Sequence, residues 1–516
     1  MLYATYIIKS LFFILPALAA AVVLRPKLYK IDEELKLAAA WAAFTALGFT
    51  LKPTALLFIV LALVLLLTLP RSRASVGGFF FAICMVLPPS LKWLIPFPGI
   101  NFLISLTPFL LVIMVVGMTM LLRPFEAGQR RRYRLGGTTT IVMIYSVMVL
   151  VFGLRSYSTF TNELRALIVQ SLELPLFFLI AVRLMRTPEA DRGVLQMFIL
   201  AASMVAAVGL VSFLKQWDLY AALDSGKGSY SSRGGGIRVG LQFVETMLGY
   251  FMVAFAYTLY LFRAKLGNLI VTLGWAGAAL IVVYATNSRA AVLAAMMVPV
   301  VHFIVTRKSA GPRAFYAIAA VLGAGIVFTT LSASGFQSVD TYGTFDYRQR
   351  LFDMSFAKIR EYPFFGDAGY AEDPFFEPLR QGQGIIDFVS VYVQVMLSSG
   401  FFGLALFFAM PAVAVSGVLR ATTLLAQEED ERSQELVRYG YWLATITLVH
   451  LVVMATISSV SFIDTFFFLM LAACQGFIFQ TEDKVLELRD AAKARSIWGP
   501  EPALTPQTQL SSSAQG

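Results

Sequence analysis

Apolar runs long enough to cross a bilayer recur from one end of this chain to the other. A helix rises about 1.5 Å per residue, so a hydrocarbon core of roughly 30 Å takes about 20 apolar residues. One soluble core does not hide so many apolar helices, and the composition agrees. Apolar residues make up 58 % of the chain and charged residues 14 %, against about 45–50 % and 25 % in soluble domains. The predicted fold class is therefore all-α, a polytopic integral membrane protein. Candidate spans are 6–24, 36–51, 54–70, 77–95, 99–122, 139–154, 163–182, 194–214, 239–262, 266–285, 289–306, 314–331, 389–416, 437–455 and 459–480. Several are short or closely spaced, so they amount to about twelve to fifteen transmembrane helices. Pro53, Pro88 and Pro89 mark breaks, because proline lacks the amide proton and clashes with the preceding turn. No small-residue cleavage site follows the first run before Arg25, so a cleavable signal peptide is not expected.

The net charge of +10 lies mostly in short loops and reports topology rather than a nucleic-acid partner. Arg25, Lys27, Lys30 and Lys36 share one loop, Arg71 and Arg73 another, and Arg123 with Arg130, Arg131, Arg132 and Arg134 a third. Alternate loops continue the series with Arg183, Arg186 and Arg192, Arg263 and Lys265, Arg307, Lys308 and Arg313, and Arg420, Arg432 and Arg438. The positive-inside rule puts these in the cytoplasm. The opposite loops are poor in cations except 215–238 and 332–388, which face outward and hold theirs for another reason. The expected organisation is N-terminal accessory helices over 1–122 and a transmembrane core over 123–331, with outward loops at 215–238 and 286–289. A large outward loop over 332–388, C-terminal helices over 389–480 and a disordered cytoplasmic tail over 481–516 complete it. Cys84 and Cys474 lie in apolar runs and predict neither a disulfide nor a metal site.

Four outward elements carry candidate chemistry. In 227–238, glycines let backbone amides approach an anion, and Arg233 and Arg238 add forked charged donors; a flexible loop whose arginines hold lipid headgroups is the alternative. Arg289, in Thr286-Asn287-Ser288-Arg289-Ala290, begins a span, where the helix dipole is already positive. That placement implies an anionic partner, or else an anchor that snorkels to the interface. Residues 345–361 read as an amphipathic helix with an apolar stripe of Phe352, Phe356 and Ile359, and with Arg350 either pairing with Asp353 or free for a ligand. Pro363 ends that helix, and Gly366 and Gly369 turn the chain before Tyr370. Asp387, just before the span at Val389, is a helix-dipole partner or a general base. Glu245 is an intramembrane acid that pairs with an arginine or lines a cavity. His302 and His450 sit in apolar spans, no cluster has metal-ligand spacing, and Walker, Rossmann and Ser-His-Asp signatures are absent. No metal or cofactor is expected, so the energy for a reaction must arrive in the substrate. Several outward arginines suit a lipid diphosphate, whose departure they would neutralise.

Over roughly residues 194–480 the chain resembles the bacterial O-antigen ligase and O-antigen/exopolysaccharide polymerase superfamily. Four stretches carry the resemblance: the loop with Arg233 and Arg238; Thr286-Asn287-Ser288-Arg289-Ala290; Arg350 followed by Ile359-Arg360-Glu361-Tyr362-Pro363-Phe364-Phe365-Gly366; and Asp387 to Tyr392 leading to Gly400-Phe401-Phe402-Gly403. The resemblance implies a GT-C-like helical fold and metal-independent glycosyl transfer at the periplasmic face of the inner membrane, which would make the large loop over 332–388 periplasmic. The donor would be an undecaprenyl-diphosphate-linked oligosaccharide. Arg233, Arg289 and Arg350 would grip the diphosphate, Asp387 would act as general base, and Tyr370 and Tyr392 would stack on sugars. Ligases of the family show a His-Asn pair where this chain has Val389-Ser390. Many polymerases show Asp-x-x-Asn-x-Tyr, which Asp387 to Tyr392 matches with Ser390 in place of Asn. The polymerase branch is favoured, with a ligase as the alternative, and a chain-length regulator or flippase of the same pathway and membrane lipid are further partners. A transporter of lipid-linked sugars is the reading from another class; it would place its cations through the membrane depth rather than on one side.

Overall fold

A computed structural model describes residues 2–122 except 32, 89, 90 and 99; 136–155; 159–220 with 223; 232–233; 236–307 except 242; 309; 311–319; 344–380; 386–457; and 461–498. The chain is an all-α polytopic membrane protein. Among the described residues five helices are long and apolar enough to cross a membrane: Phe160–Met185, Ala190–Lys215, Val391–Leu425, Glu431–Met454 and Asp464–Leu486. Shorter apolar helices, among them Leu35–Thr50, Ala55–Thr68, Gly137–Gly153, Leu269–Ala285 and Arg289–Val305, fill out the bundle.

In chain order the helices are α1 (Leu2–Val23), α2 (Leu35–Thr50), α3 (Ala55–Thr68), α4 (Arg73–Val86), α5 (Pro108–Leu122), α6 (Gly137–Gly153), α7 (Phe160–Ser171), α8 (Phe177–Met185) and α9 (Ala190–Lys215). They continue as α10 (Glu245–Leu261), α11 (Leu269–Ala285), α12 (Arg289–Val305), α13 (Thr344–Ile359), α14 (Val391–Leu425), α15 (Glu431–Met454) and α16 (Ser461–Trp498). A π-helical turn at Leu172–Leu176, containing Pro175, joins α7 to α8 without ending the helix.

Two regions depart from the sequence expectations. The spans expected at 77–95 and 99–122 are instead α4 and α5, separated by an antiparallel hairpin of β1 (Trp93–Phe97) and β2 (Ile100–Leu106). Pro88 and Pro89 stop the first helix early, and the second begins only at Pro108, where a proline is tolerated in the first turn. Arg165 holds the hairpin to α7, donating to the Phe102 carbonyl at 2.6 Å with its guanidinium over the Phe102 ring. At the other end of the chain, α16 runs past Thr481 to Trp498, where a disordered tail was expected. The stretch from Glu482 to Arg495 is rich in Leu, Glu, Lys, Ala and Arg, all strong helix formers. Residues 499–516 of that tail lie outside the described residues.

One continuous apolar core joins the bundle, with Trp41, Trp442, Tyr250 and many phenylalanines fully buried. Cys84 and Cys474 are buried free thiols. The bundle has two chemically different ends. At the basic end, the 25–36 loop meets α9, the α10–α11 turn and the start of α15. Arg432 makes a forked pair with Asp191 at 2.7 and 2.8 Å, and Arg192 reaches Glu435 at 2.6 Å. Lys265 pairs with both Glu435 and Glu431, Arg25 pairs with Glu34, and Gln196 donates to Glu34 at 2.9 Å. Asp191 and Glu435 are only 2 % and 5 % exposed, so their arginine and lysine partners offset a large desolvation cost. The opposite, loop end carries α13, the segment before α14 and the turns before α10 and α12.

Candidate functional site

The first part of the loop end is built where α11 turns into α12. Asn287 takes a φ of 47°, a left-handed conformation that asparagine tolerates better than most residues. Ser288 then caps α12: its Oγ accepts from the Ala291 amide at 3.4 Å and lies 2.8 Å from Thr246 Oγ1 on α10. Arg289 is therefore the first helical residue, where unpaired backbone amides already make the field positive. Its side chain is exposed and pairs with no acid among the described residues. Beside it, the Val239 amide donates to the Ala285 carbonyl at 3.1 Å, which fixes the approach to α10. Arg238 Nη1 lies 3.4 Å from Glu245 Oε1, so Glu245 is the partner of an arginine, as one of its two sequence readings had it. The Arg238 Nε is buried and finds no acceptor among the described atoms. Arg233 lies in a two-residue strand, Ser232–Arg233, paired with Gly236–Ile237.

The second part is the segment from α13 to the start of α14, which folds around its own small core of Leu351, Phe376, Leu379, Phe388, Val393 and Leu397. The face of α13 that packs there carries Leu351, Ser355 and Ile359, whereas Phe352 and Phe356 of the expected stripe are 40 % and 49 % exposed. Lys358, also on the buried face, bridges Asp373 and Glu361 at 2.6 Å each. Burial pulls the Lys358 ammonium down, but its two carboxylate partners outweigh that and hold its pKa above the usual lysine range. The hydrogen bond from Lys358 and the Phe375 amide hold the Asp373 carboxyl below its ordinary value.

Asp387 is held through its backbone. The Tyr347 hydroxyl donates to the Asp387 carbonyl at 2.9 Å and accepts from its amide at 3.0 Å. The residue preceding α14 is Ser390, so Asp387 does not cap that helix. Arg348, the residue after Tyr347, donates to the Thr456 carbonyl at 3.3 Å just beyond the end of α15. Arg350 is exposed; its Nε reaches the Asp346 carbonyl at 3.4 Å, and the local pair with Asp353 does not form. Tyr370 and Tyr392 both have protein partners. The Tyr370 ring packs edge-on against Phe388 at 4.9 Å, and burial pushes its phenol up to about 12. The Tyr392 hydroxyl donates to the Leu451 carbonyl on α15, and its ring lies 4.8 Å from Phe408.

A joint between two glycine motifs fixes this segment to the membrane helices. Gly400 has φ 67° and ψ −169°, a region open only to glycine, and it breaks α14 into 391–399 and 401–425. The turn at 363–367 fills the break. The Phe401 and Phe402 amides donate to the Pro363 and Phe364 carbonyls at 2.8 and 3.2 Å, and the Asp367 amide donates to the Leu397 carbonyl at 2.7 Å. Two orphan amides of one helix end and one orphan carbonyl of the other are thereby satisfied. Gly366, with φ 62°, makes the same contact from the other side: a Cβ there would meet the Leu397 carbonyl at 2.4 Å. A Cβ on Gly400 would meet the Phe364 carbonyl carbon at 2.3 Å.

Arg238 pairs with Glu245 at the start of α10, which the Thr246–Ser288 contact joins to the start of α12 with Arg289, and Asp387 is tied through its backbone to Tyr347 on the helix that also carries Arg350. Both lean on the loop end of α15: α10 through the Tyr250 hydroxyl to the Ile446 carbonyl at 2.6 Å, and α13 through Arg348 to Thr456. Sequence reasoning passed over Tyr347 and Arg348, whose roles depend on contacts 40 and 108 residues away.

The sequence profile of the O-antigen ligase family matches residues 274–408. That stretch is similar to the O-antigen ligase family. The matched stretch runs from within α11, through α12 and α13, to just past the Gly400 joint, and contains Arg289, Arg350, Asp387, Tyr370 and Tyr392. It does not include Arg233 or Arg238. The match supports the O-antigen ligase and polymerase superfamily, and with it a ligase- or polymerase-type function in general, without separating the two branches. A comparison with curated proteins finds no match.

Proposed function

We propose that this protein is a polysaccharide polymerase that joins undecaprenyl-diphosphate-linked oligosaccharide repeats at the periplasmic face of the bacterial inner membrane. The observation that carries the reading is Arg289, a cation without an acidic partner among the described residues, seated where a helix N-terminus is already positive. Such a position favours an anion, and the buried Arg238 Nε beside it offers a second donor. In this reading Arg289, Arg350 and Arg233 bind the donor diphosphate. The acceptor hydroxyl oxygen bonds to the anomeric carbon of the donor sugar while the bond from that carbon to the phosphate oxygen breaks. The hydroxyl proton passes to the Asp387 carboxylate, and undecaprenyl diphosphate leaves with its charge neutralised by the arginines, an electrostatic contribution of about 3–4 kcal/mol for one such donor.

The runner-up is a ligase that moves a finished chain to a lipid acceptor; the absence of histidine at 389–390 weighs for the polymerase. A transporter would need cations open along the bundle, whereas Arg192, Lys265 and Arg432 at the basic end are held in ion pairs. The test is transfer by the purified protein in nanodiscs, with the host's lipid-linked repeat as substrate and products resolved by gel. A ladder from the wild type, lost in Arg289→Ala and Arg350→Ala, supports the polymerase. Transfer only to added core lipid supports the ligase, and no transfer to either acceptor counts against both.

A further inference from the structure

A cavity of ≈160 Å³ opens at the loop end between the end of α6 and the turn that fills the α14 break, lined by Arg155, Tyr362, Gly366, Asp367 and Ala368. It is smaller than the roughly 300–1,000 Å³ of a site that encloses a whole drug-sized ligand, and matches a subsite for one ring. Its lining is a guanidinium, a carboxylate and a phenol beside two residues with little or no side chain. Forked donors, a carboxylate acceptor and an aromatic face are the groups that recognise a sugar ring, whose hydroxyls both donate and accept.

The walls are held before any ligand arrives. Arg155 Nη2 donates to the Phe365 carbonyl at 2.7 Å, and its guanidinium lies 4.2 Å from the Phe152 ring centroid, so the side chain is aimed from both sides. Asp367 Oδ1 accepts from the Gly369 amide at 2.9 Å, and the Asp367 amide bonds Leu397, which leaves Oδ2 as an acceptor. Tyr362 is 51 % exposed, and the carbonyls and amides of the neighbouring turn are tied into the Gly400 joint. A single arginine, balanced by Asp367, is poorly matched to a diphosphate. The charge balance separates this cavity from the Arg289 site, and the short helix 391–399 separates it from Asp387. The rise from Val391 to Leu397 is about 9 Å, a length that a few linked sugar rings span.

We infer that this cavity is a saccharide subsite that holds one ring of the oligosaccharide chain at a distance from the bond being made. The inference deepens the polymerase reading and rests on it for the identity of the chain. The probe is the oligosaccharide released by mild acid from the host's lipid-linked repeat, its binding to the full-length protein in nanodiscs measured by saturation-transfer NMR. Tyr362→Ala and Asp367→Asn, the second of which keeps the turn's amide acceptor, weaken binding about tenfold, equivalent to one lost hydrogen bond or stacking contact. Tyr362→Phe keeps the ring and most of the affinity. Thermal unfolding of each variant reports whether the joint is intact.

Transfer assays then assign the chain. A repeat capped at its acceptor hydroxyl serves only as donor, and the free oligosaccharide serves only as acceptor; the subsite variants raise the KM of one of them and leave kcat within about threefold. If the wild type binds the oligosaccharide and the variants do not, but no transfer occurs, the subsite stands and the polymerase reading falls. If wild type and variants bind equally, or no saccharide binds, the subsite is overturned even where transfer proceeds.

Discussion

The two ends of the bundle treat charge in opposite ways. At the basic end, arginine and lysine meet carboxylates that are nearly out of water: Arg432 on Asp191, and Arg192 and Lys265 on Glu435. At the loop end, Lys358 is paired within the segment before α14, but Arg289 and Arg350 are exposed without an acidic partner among the described residues, and Arg238 meets Glu245 only at 3.4 Å. A paired charge in a dry setting holds helices together, because removing one member strands the other. An unpaired charge beside a helix N-terminus contributes nothing to packing and is suited to an incoming anion. The difference separates the part of this protein built for cohesion from the part built for a ligand.

Substitutions can break that contrast, and they rank by expected size. Arg432→Ala strands Asp191 and lowers stability by about 3–5 kcal/mol; thermal unfolding in detergent checks it, while transfer per folded molecule stays near the wild-type value. Gly400→Ala forces a side chain into the Phe364 carbonyl and a backbone region reserved for glycine, at a cost of about 2–4 kcal/mol. The damage is local, so proteolysis of the 344–388 segment rises before the bundle melts. Arg289→Ala leaves the unfolding temperature within a few degrees and cuts transfer about 100-fold, with Arg289→Lys recovering part.

Asp373→Asn is the smallest, about 1–2 kcal/mol in the opening of the same segment, read by amide hydrogen exchange. Its pH dependence has a definite sign. The Asp373 carboxyl is held low, so its contribution is present above the ordinary carboxylate range and lost as pH falls through the depressed value. Lys358 is held high, so its contribution is present below the ordinary lysine value and lost only as pH rises through the raised one. Protection in the wild type is therefore level from about pH 5 to about pH 9 and declines outside that window.

Much of the architecture was legible because bilayer length and proline positions are local signals. The amphipathic helix expected at 345–361 is α13 at Thr344–Ile359, and the turn expected after Pro363 forms there. Its orientation was not legible. The buried face follows Leu351, Ser355 and Ile359 rather than the two phenylalanines, because the partner surface is made by Phe376, Leu379 and Phe388 further along the chain. Tyr370 was singled out as a sugar-stacking ring, and its edge-on packing against Phe388 was not legible for the same reason. Gly366 read as a turn residue and Gly400 as part of a span; that they meet is a tertiary fact joining backbone atoms more than 30 residues apart. Arg155 carried no signal at all, since its role comes from the Phe365 carbonyl 210 residues away.

The contrast between the two ends is tested most directly by the binding of undecaprenyl diphosphate to the protein in nanodiscs. Wild type, Arg289→Ala and Arg432→Ala would be titrated under conditions where all three remain folded. A tenfold or greater loss in Arg289→Ala, with Arg432→Ala unchanged, is the result predicted for a loop end built to receive an anionic lipid. Equal affinity in all three, or a loss confined to Arg432→Ala, would contradict it.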